Sequence, residues 1–258
     1  MGLLDGKTAL IVGVANKRSI AWAIAQALSD QGARCAFTFQ NDRVGVEVEK
    51  LAQTLPESGP VFPLDVQDDA QMDAAVEGAA KGLGGIDILV HAVAFARADD
   101  LGGRFVDTDR EGFELAQDIS AYSLSALARR VEPHMAARGG GSVMALSYVA
   151  AERAVPGYNV MGVAKSTLES IVRYLAWDLG ESGIRVNAIS AGPVRTLAAR
   201  SIPGFLDMAD KAAQRSPLRR SITQEEVGGS AVFLASDLST GVSGHVLYVD
   251  AGFHAMGL

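Results

Sequence analysis

The chain has 258 residues, a formal net charge of −7, 48% apolar residues and one cysteine. This composition is that of a globular protein, and it excludes a disordered chain, an internal disulfide and a mainly nucleic-acid-binding role, which needs clustered Lys and Arg. No apolar run approaches the roughly 18–20 residues of a membrane helix, and residues 1–6 lack the basic start of a signal peptide. We therefore expect a single cytoplasmic domain over residues 1–258.

Strand and helix patterns alternate along the first half of the chain. Short apolar or β-branched runs bounded by turn residues predict strands at 8–12, 35–39, 61–64 and 85–91. Helical spacing of apolar residues and charges placed to suit the helix dipole predict helices at 19–31, 42–55 and 68–83.

The second half continues this alternation. It predicts a long helix at 111–138, then a strand at 141–147, a helix at 159–180, a strand at 184–189, a helix at 224–236 and a strand at 245–249. Residues 194–222 are predicted to be irregular or locally helical. Together the units predict an α/β fold, a single-domain Rossmann-like doubly wound sheet of seven parallel strands with helices on both faces.

The turn after the first strand is a candidate phosphate site. Gly13 permits a tight turn, and the helix that begins at Ser19 and Ile20 offers backbone amides to a pyrophosphate. Only the first glycine of the usual G-x-G-x-x-G pattern is present, so Ser19 either donates its hydroxyl to phosphate or serves only as a helix N-cap.

Residues at the ends of the second and third strands indicate which dinucleotide the protein binds. Gln40 can bind a ribose hydroxyl, and Arg43 is expected on the solvent face of the next helix, so the segment favours NADH over NADPH. Asp65, followed by Val66, either accepts a hydrogen bond from adenine or caps a helix, a role that Asp68 can also fill.

Tyr158 and Lys165 are seven residues apart, with Tyr158 immediately before the helix predicted at 159–180 and Lys165 within it. Seven residues at about 100° each make nearly two full turns, so both side chains lie on one helix face. A nearby cation favours phenolate and strengthens the phenol as a donor, so the pair can stabilise an oxygen that gains negative charge.

This constellation resembles the short-chain dehydrogenase/reductase superfamily over essentially the whole chain. Many members carry a Ser 13 residues before the Tyr, but here that position is Ala145, and Tyr148 stands ten residues before Tyr158. With the stretch YNVMGVAK at 158–165 and the later AGPVRTLAA at 191–199, the pattern is similar to that of NADH-dependent enoyl-acyl-carrier-protein reductases. The resemblance implies hydride transfer from NADH to a trans-2-enoyl thioester, an acyl-carrier-protein-linked substrate and a homotetramer.

The resemblance also implies a role for each matching residue. Tyr148, Tyr158 and Lys165 are the expected catalytic residues, and Ala96 faces the acyl substrate with the two tyrosines. The expected dinucleotide contacts are Gly13, Ser19, Ile20, Gln40, Asp65, Val66, Val93, Lys165, Val194, Arg195, Thr196, Leu197 and Ala198.

Three alanines depart from the family pattern. Ala92 and Ala94 stand where Ser and Gly are usual, and Ala23 stands where Gly is usual. Each is expected to change a small group near the cofactor, which makes a non-catalytic dinucleotide sensor conceivable. A ketone or alcohol oxidoreductase of the same superfamily is the other alternative, and the intact Tyr158 and Lys165 favour an enzyme.

The segment 194–214 is predicted to be a lid over the acyl chain. Its discontinuous apolar residues have to cover an apolar ligand if they are not ordinary core, and the candidates for substrate contact are Ile202, Phe205 and Met208. No metal site is expected, because the four histidines and Cys35 lack metal-ligand spacing.

Overall fold

A computed structural model describes residues 2–194, 196 and 204–257, with the side chain of Phe205 excepted. The predicted parallel sheet is confirmed, with strand order β3-β2-β1-β4-β5-β6-β7. Its strands are β1 Thr8–Val12, β2 Arg34–Phe39, β3 Val61–Pro63, β4 Ile88–His91, β5 Gly141–Ser147, β6 Ile184–Ala191 and β7 Val246–Val249.

Helices cover both faces of this sheet. They are α1 Ile20–Asp30, α2 Asp42–Ala52, α3 Asp69–Leu83, α4 Ala98–Leu101, α5 Arg110–Gln117, α6 Ser123–Ala137, α7 Asn159–Leu179, α8 Phe205–Arg215 and α9 Gln224–Ala235. Within the described residues, no helix is both long and apolar enough to cross a membrane.

Two apolar cores lie on opposite faces of the sheet. One joins the sheet to α3, α6 and α7, and the other joins it to α1, α2 and α9. Strand β4 contributes to both, with Leu89 in the first core and Ile88 and Val90 in the second. Side chains alternate along a strand, so the next residue, His91, points toward α6 and α7.

The long helix predicted at 111–138 is interrupted. A π-helical turn, Asp118–Tyr122, separates α5 from α6 and holds one more residue per turn than an α-helix. Two buried serines mark its position. Ser120 Oγ accepts from the Phe95 amide at 3.0 Å, and Ser123 Oγ lies 2.7 Å from His91 Nε2. The turn therefore ties this helix to the segment that follows β4.

Other differences from the predictions have local causes. The short helix α4 was not predicted, since four residues are too few for a periodic pattern. Strand β4 begins at Ile88 and not at Gly85, whose φ of +134° is outside the strand region. Helix α8, by contrast, agrees with the prediction of local helix within 194–222.

Candidate active site

A cavity of about 540 Å³ opens at the carboxyl ends of β4, β5 and β6. Ligands of doubly wound sheets bind at this edge, where the order of the strands reverses. The cavity brings together predicted residues from five separate segments: Ile20, Val93, Ala96, Tyr148, Tyr158, Lys165, Val194, Thr196 and Met208.

The two tyrosines of the cavity are in direct contact. Their ring centroids are 5.1 Å apart in an edge-to-face arrangement, which is a favourable geometry for aromatic pairs. Tyr148 is 9% exposed, and its hydroxyl donates to Met208 Sδ at 3.6 Å. Burial, helped by the Asp250 carboxylate, raises the pKa of Tyr148 to about 12.

The pKa of Tyr158 is determined mainly by burial of its side chain. Burial raises the pKa of Tyr158 well above its usual value, and the Tyr148 ring adds to the effect. Loss of water around the phenol is the main cause, because burial disfavours the charged phenolate. Tyr158 keeps its proton and acts as a neutral hydrogen-bond donor.

Lys165 is a buried ammonium below the tyrosines. It is 5% exposed, and its Nζ donates to the Leu146 carbonyl at 2.7 Å. Burial lowers the pKa of Lys165 to about 8, and Glu169 acts in the opposite direction. An ammonium has three donors, so the bond to Leu146 leaves two for a ligand.

The turn between β1 and α1 fits a diphosphate. Gly13 has a φ of +106°, and a Cβ placed there would lie 2.4 Å from the Ala92 carbonyl oxygen. Ser19 is the N-cap of α1, since its Oγ accepts from the Trp22 amide at 3.2 Å. Among the hydrogen bonds of the described residues, the amides of Ile20 and Ala21 have no acceptor in the protein. These two donors at a helix start are suited to an anion.

The predicted adenosine contacts lie away from the cavity, at the ends of β2 and β3. Gln40 is exposed directly after β2. The alternatives for Asp65 are resolved in part, because Asp68 is the residue that caps α3. Asp65 Oδ1 accepts only from the nearby Gln67 amide, at 3.0 Å, and Val66 beside it is buried. The Asp65 carboxylate therefore has acceptor capacity for a ligand.

The three alanines that depart from the family pattern are not alike. Ala92 and Ala94 line the cavity, as expected. Ala23 is not among the residues that line the cavity. Its backbone is turned toward α9, where a Cβ at Gly228 would lie 2.9 Å from the Ala23 carbonyl oxygen. Ala23 therefore belongs to the contact between α1 and α9.

Several predicted contacts of the lid segment lie outside the described residues. They are Arg195, Leu197, Ala198, Ile202 and the side chain of Phe205. Of the three predicted substrate contacts in this segment, Met208 is described, and it lines the cavity beside Tyr148.

Sequence reasoning missed two polar pairs near the cavity. His91 is fully buried, and because Ser123 Oγ donates to the Ile119 carbonyl, the bond from His91 Nε2 is a donated one. Burial and the neighbouring Lys165 lower the pKa of His91 to about 3, so the ring is neutral. The second pair joins Ser147 to Glu169 at 2.5 Å. The only sequence signal for it is that Glu169 stands four residues after Lys165.

These elements define what the cavity can do chemically. It combines free backbone donors at a helix start, a buried ammonium with donors to spare and a neutral phenol whose pKa is raised. Such a set can hold a diphosphate and a polyhydroxylated ligand, and it can stabilise an oxygen that gains negative charge. Among the described residues, no group of three His, Cys, Asp or Glu side chains is arranged for a metal ion.

Comparison with known proteins gives a consistent result. A family model described as Enoyl-(Acyl carrier protein) reductase matches residues 13–254. The chain is 50% identical over 258 residues to the enoyl-[acyl-carrier-protein] reductase [NADH] of Bacillus cereus, and the match covers 100% of both chains. It is 49% identical over 255 residues to a reductase of Staphylococcus aureus that is named for NADPH, with 98% of each chain covered.

Solved structures agree with these sequence matches. A crystal structure of the Bacillus cereus enoyl-acyl carrier protein reductase with NADP⁺ and indole naphthyridinone superposes with a TM-score of 0.97, at 50% identity and full coverage of both chains. The enzyme from Anaplasma phagocytophilum in complex with NAD gives a TM-score of 0.95 at 45% identity, covering 100% of this chain and 97% of that one.

Proposed function

The chain belongs to the enoyl-acyl-carrier-protein reductase family, and from that membership we propose how its own residues carry out the reaction. It is an NADH-dependent reductase of fatty-acid synthesis that transfers hydride to the C2=C3 double bond of a trans-2-enoyl thioester linked to the acyl carrier protein. NADH supplies the hydride when it is bound. The observation that carries the assignment of roles is the cluster of Tyr148, Tyr158 and Lys165 on one wall of the cavity.

Tyr158 stabilises the reacting thioester. Addition of hydride at C3 moves charge onto the thioester oxygen, which becomes an enolate oxygen. The raised pKa of Tyr158 keeps a proton on the phenol, so the hydroxyl donates a hydrogen bond to that oxygen. A donor fixed before the reaction needs no reorganisation when the charge appears. Tyr148 packs against the Tyr158 ring and limits its rotation.

Lys165 and the β1–α1 turn hold the dinucleotide. Two donors of the Lys165 ammonium are available to the nicotinamide ribose while the third is held by Leu146. The diphosphate is assigned to the amides of Ile20 and Ala21, with Gly13 allowing close approach of the backbone. The remaining contacts assigned to the dinucleotide are Ser19, Gln40, Asp65, Val66, Val93, Val194, Arg195, Thr196, Leu197 and Ala198, while Ala96, Ile202, Phe205 and Met208 are assigned to the acyl group.

The decisive assay compares substrates. We expect NADH absorbance to fall with a trans-2-enoyl thioester and not with a ketone of similar length. Ser147 does not substitute for the serine that carbonyl reduction uses in related enzymes, because its hydroxyl donates to Glu169. Turnover of the ketone alone contradicts the proposal, and binding of NADH without turnover of either compound indicates a sensor.

The end of β2 predicts a preference for NADH over NADPH. Gln40 is neutral, and Asn41 uses its side chain to cap α2, whose first turn carries the acidic Asp42. A 2′-phosphate therefore gains no cation from these residues, and Asp42 repels it. We expect kcat/KM to favour NADH by at least about tenfold, which is the value of one charge-assisted hydrogen bond.

Steady-state kinetics with both cofactors tests this preference. The variant Gln40→Arg is expected to raise kcat/KM for NADPH and so to reduce the ratio of kcat/KM with NADH to kcat/KM with NADPH. The variant Arg43→Gln, at an exposed position on α2, is expected to leave this ratio unchanged. A higher kcat/KM with NADPH in the parent enzyme would contradict the prediction.

We further propose that the region around α8 works as a lid. Leu206 is 60% exposed, although its side chain is apolar, and Met208 is held to Tyr148 only by a weak sulfur acceptor. Hydrogen exchange in 204–215 is expected to slow when NADH and a long-chain enoyl analogue bind, because the helix then covers the acyl chain. Helix α3 is the internal reference and should not change. Slow exchange in the free protein that ligands leave unaltered would make α8 fixed core.

A homotetramer that works in the cytoplasm completes the proposal. Trp177 is 83% exposed and Tyr174 is 72% exposed on α7, and Phe113 on the neighbouring α5 is 40% exposed. Aromatic side chains on one surface favour an interface with a second copy of the chain. Light scattering after gel filtration is expected to give a tetramer for the parent and a smaller species for Trp177→Glu. The control Leu238→Glu, at another exposed apolar residue, should leave the mass unchanged, and an unchanged mass for Trp177→Glu would contradict this interface.

The cytoplasmic location is supported by the one thiol of the chain. Cys35 is fully buried in β2, and burial raises the pKa of its thiol to about 12. Such a thiol is unreactive, and a chain with no second cysteine suits a reducing compartment.

A further inference from the structure

Glu169 is a buried carboxylate that the proposed reaction does not use. It lies on α7 and is 6% exposed, and its Oε1 accepts from Ser147 Oγ at 2.5 Å. Glutamate is among the residues that are almost never fully buried unless they are paired. A single hydroxyl donor offsets only part of the free-energy cost of removing water from a carboxylate. We therefore expect a second group to stabilise the charge of Glu169.

Lys165 interacts electrostatically with Glu169, although the two side chains form no direct ion pair. It precedes Glu169 by four residues on α7, so the two side chains lie on the same face about one turn apart. Consecutive residues of β5 hold the two groups, since the Leu146 carbonyl accepts from Lys165 Nζ and the Ser147 hydroxyl donates to Glu169. The strand thus fixes both the cation and the anion relative to the cavity.

We propose that Glu169, anchored by Ser147, is the counter-charge that keeps Lys165 in the protonated form required to bind the nicotinamide ribose. This role rests on the proposed function, in which Lys165 donates to that ribose. Glu169 is a positioning residue in this scheme, because it acts on the cofactor only through Lys165.

The electrostatic surroundings agree with this role. Burial lowers the pKa of Lys165 to about 8, and Glu169 is the group that opposes the fall. His91, which faces Lys165 from β4, is neutral and supplies no counter-charge. Burial raises the pKa of Glu169 and Glu152 adds to the rise, whereas the Ser147 hydroxyl, Arg173 and Lys165 favour the carboxylate. Tyr248 of β7 also interacts with Glu169.

The sign of the expected effect follows from this arrangement. Replacing Glu169 by Gln keeps an oxygen acceptor for Ser147 and removes the negative charge. Without that charge the pKa of Lys165 falls further, so the side chain becomes neutral at a lower pH. Affinity for NADH should then be lost at a lower pH, while affinity well below the midpoint stays close to that of the parent.

The experiment is a series of calorimetric titrations with NADH between about pH 6.5 and 9.5, a range that brackets the pKa of a partly desolvated lysine. We expect the pH at which affinity has fallen by half to drop by roughly one pH unit in Glu169→Gln, since an opposite charge at this range shifts a pKa by about that amount or more. Glu181→Gln makes the same change at an exposed site beyond the end of α7, and it should leave the midpoint unchanged.

Two further variants make the result decisive. Ser147→Ala removes only the anchoring hydroxyl and is expected to lower the midpoint by less than Glu169→Gln; it also serves if the Gln variant does not fold. In a Lys165→Arg background the cation does not titrate between about pH 6.5 and 9.5, so NADH affinity should show no such fall, with or without Glu169→Gln. The proposal would be overturned if Glu169→Gln and Ser147→Ala both lost half of their NADH affinity at the same pH as the parent. It would also be overturned if Glu169→Gln changed the pH dependence of NADH affinity in the Lys165→Arg background.

Failure of the underlying assignment gives a different result. If Lys165→Ala binds NADH as tightly as the parent at neutral pH, the role of Lys165 in ribose binding is wrong. If Lys165→Ala binds weakly and Glu169→Gln has the midpoint of the parent, only the role of Glu169 is wrong.

Discussion

Replacement of Tyr158 by Phe is expected to lower kcat about 10²–10³-fold, the usual consequence of losing one preorganised donor to a developing oxyanion. The ring and its edge-to-face contact with Tyr148 remain in the variant, so only the hydroxyl is lost. Affinity for NADH should be nearly unchanged, because the hydroxyl acts on the thioester oxygen and not on the dinucleotide.

Stopped-flow measurement of a single turnover separates the chemical step from binding in this variant. Tyr174→Phe removes a phenol hydroxyl from an exposed position on α7 and is the matched control. A kcat equal to that of the parent would remove Tyr158 from the mechanism. A loss of NADH affinity as large as the loss of rate would place its hydroxyl on the cofactor instead.

Replacement of Gly13 by Ala is expected to damage both stability and cofactor binding. Alanine is strained at a φ of +106°, and its Cβ would lie 2.4 Å from the Ala92 carbonyl oxygen and 2.7 Å from the carbonyl carbon. Both contacts are to backbone, so β1 and β4 have to separate at the site. We expect a loss of about 2–4 kcal/mol, the sum of backbone strain and a steric clash, which lowers Tm by roughly 5–15 °C.

Gly84→Ala separates the two causes of this loss. Gly84 also has a positive φ, +80°, but a Cβ there meets nothing within 4 Å, so it reports strain without a clash. Thermal unfolding and NADH titration of both variants make the comparison. If Gly13→Ala is no less stable than Gly84→Ala and binds NADH as the parent does, the close approach of Gly13 to β4 has no energetic importance.

The strands that sequence predicted best are those enclosed on both faces. The predicted bounds of β1 and β5, 8–12 and 141–147, agree with the structure at both ends. In a parallel sheet covered by helices, a central strand is apolar throughout and ends where glycine or a polar residue permits a turn. A strand of this kind can be recognised from its own residues, without knowledge of the strands beside it.

Contacts between distant segments limited the prediction elsewhere. Ala23 was singled out because the related enzymes usually carry Gly at that position, and nothing in the sequence indicates that its carbonyl oxygen lies against Gly228 of α9, about 200 residues later in the chain. Glu169 was overlooked for a similar reason. A glutamate on a helix is ordinarily a solvent-facing residue, and only the approach of Ser147 on β5 reveals that this one is buried.

The catalytic cluster was more accessible to prediction. Helical geometry alone places Tyr158 and Lys165 on one face. The family resemblance added Tyr148, and in the structure its ring contacts that of Tyr158. The rise in the pKa of Tyr158 could not be predicted, because it depends on how much water the folded protein removes from the ring. Burial of that kind is a property of the cavity as a whole.

The π-helical turn between α5 and α6 determines which side of α6 faces the sheet. If residues 118–122 adopted regular α-helical geometry with no residue removed, α6 would rotate by roughly 100° relative to α5, the angle of one helical residue. Ser120 and Ser123 could then no longer both meet their partners on β4 and in the segment after it. The core side chains Leu124 and Leu127 would turn away from the sheet as well. The wide turn therefore accommodates one additional residue without changing the face that α6 presents to the sheet.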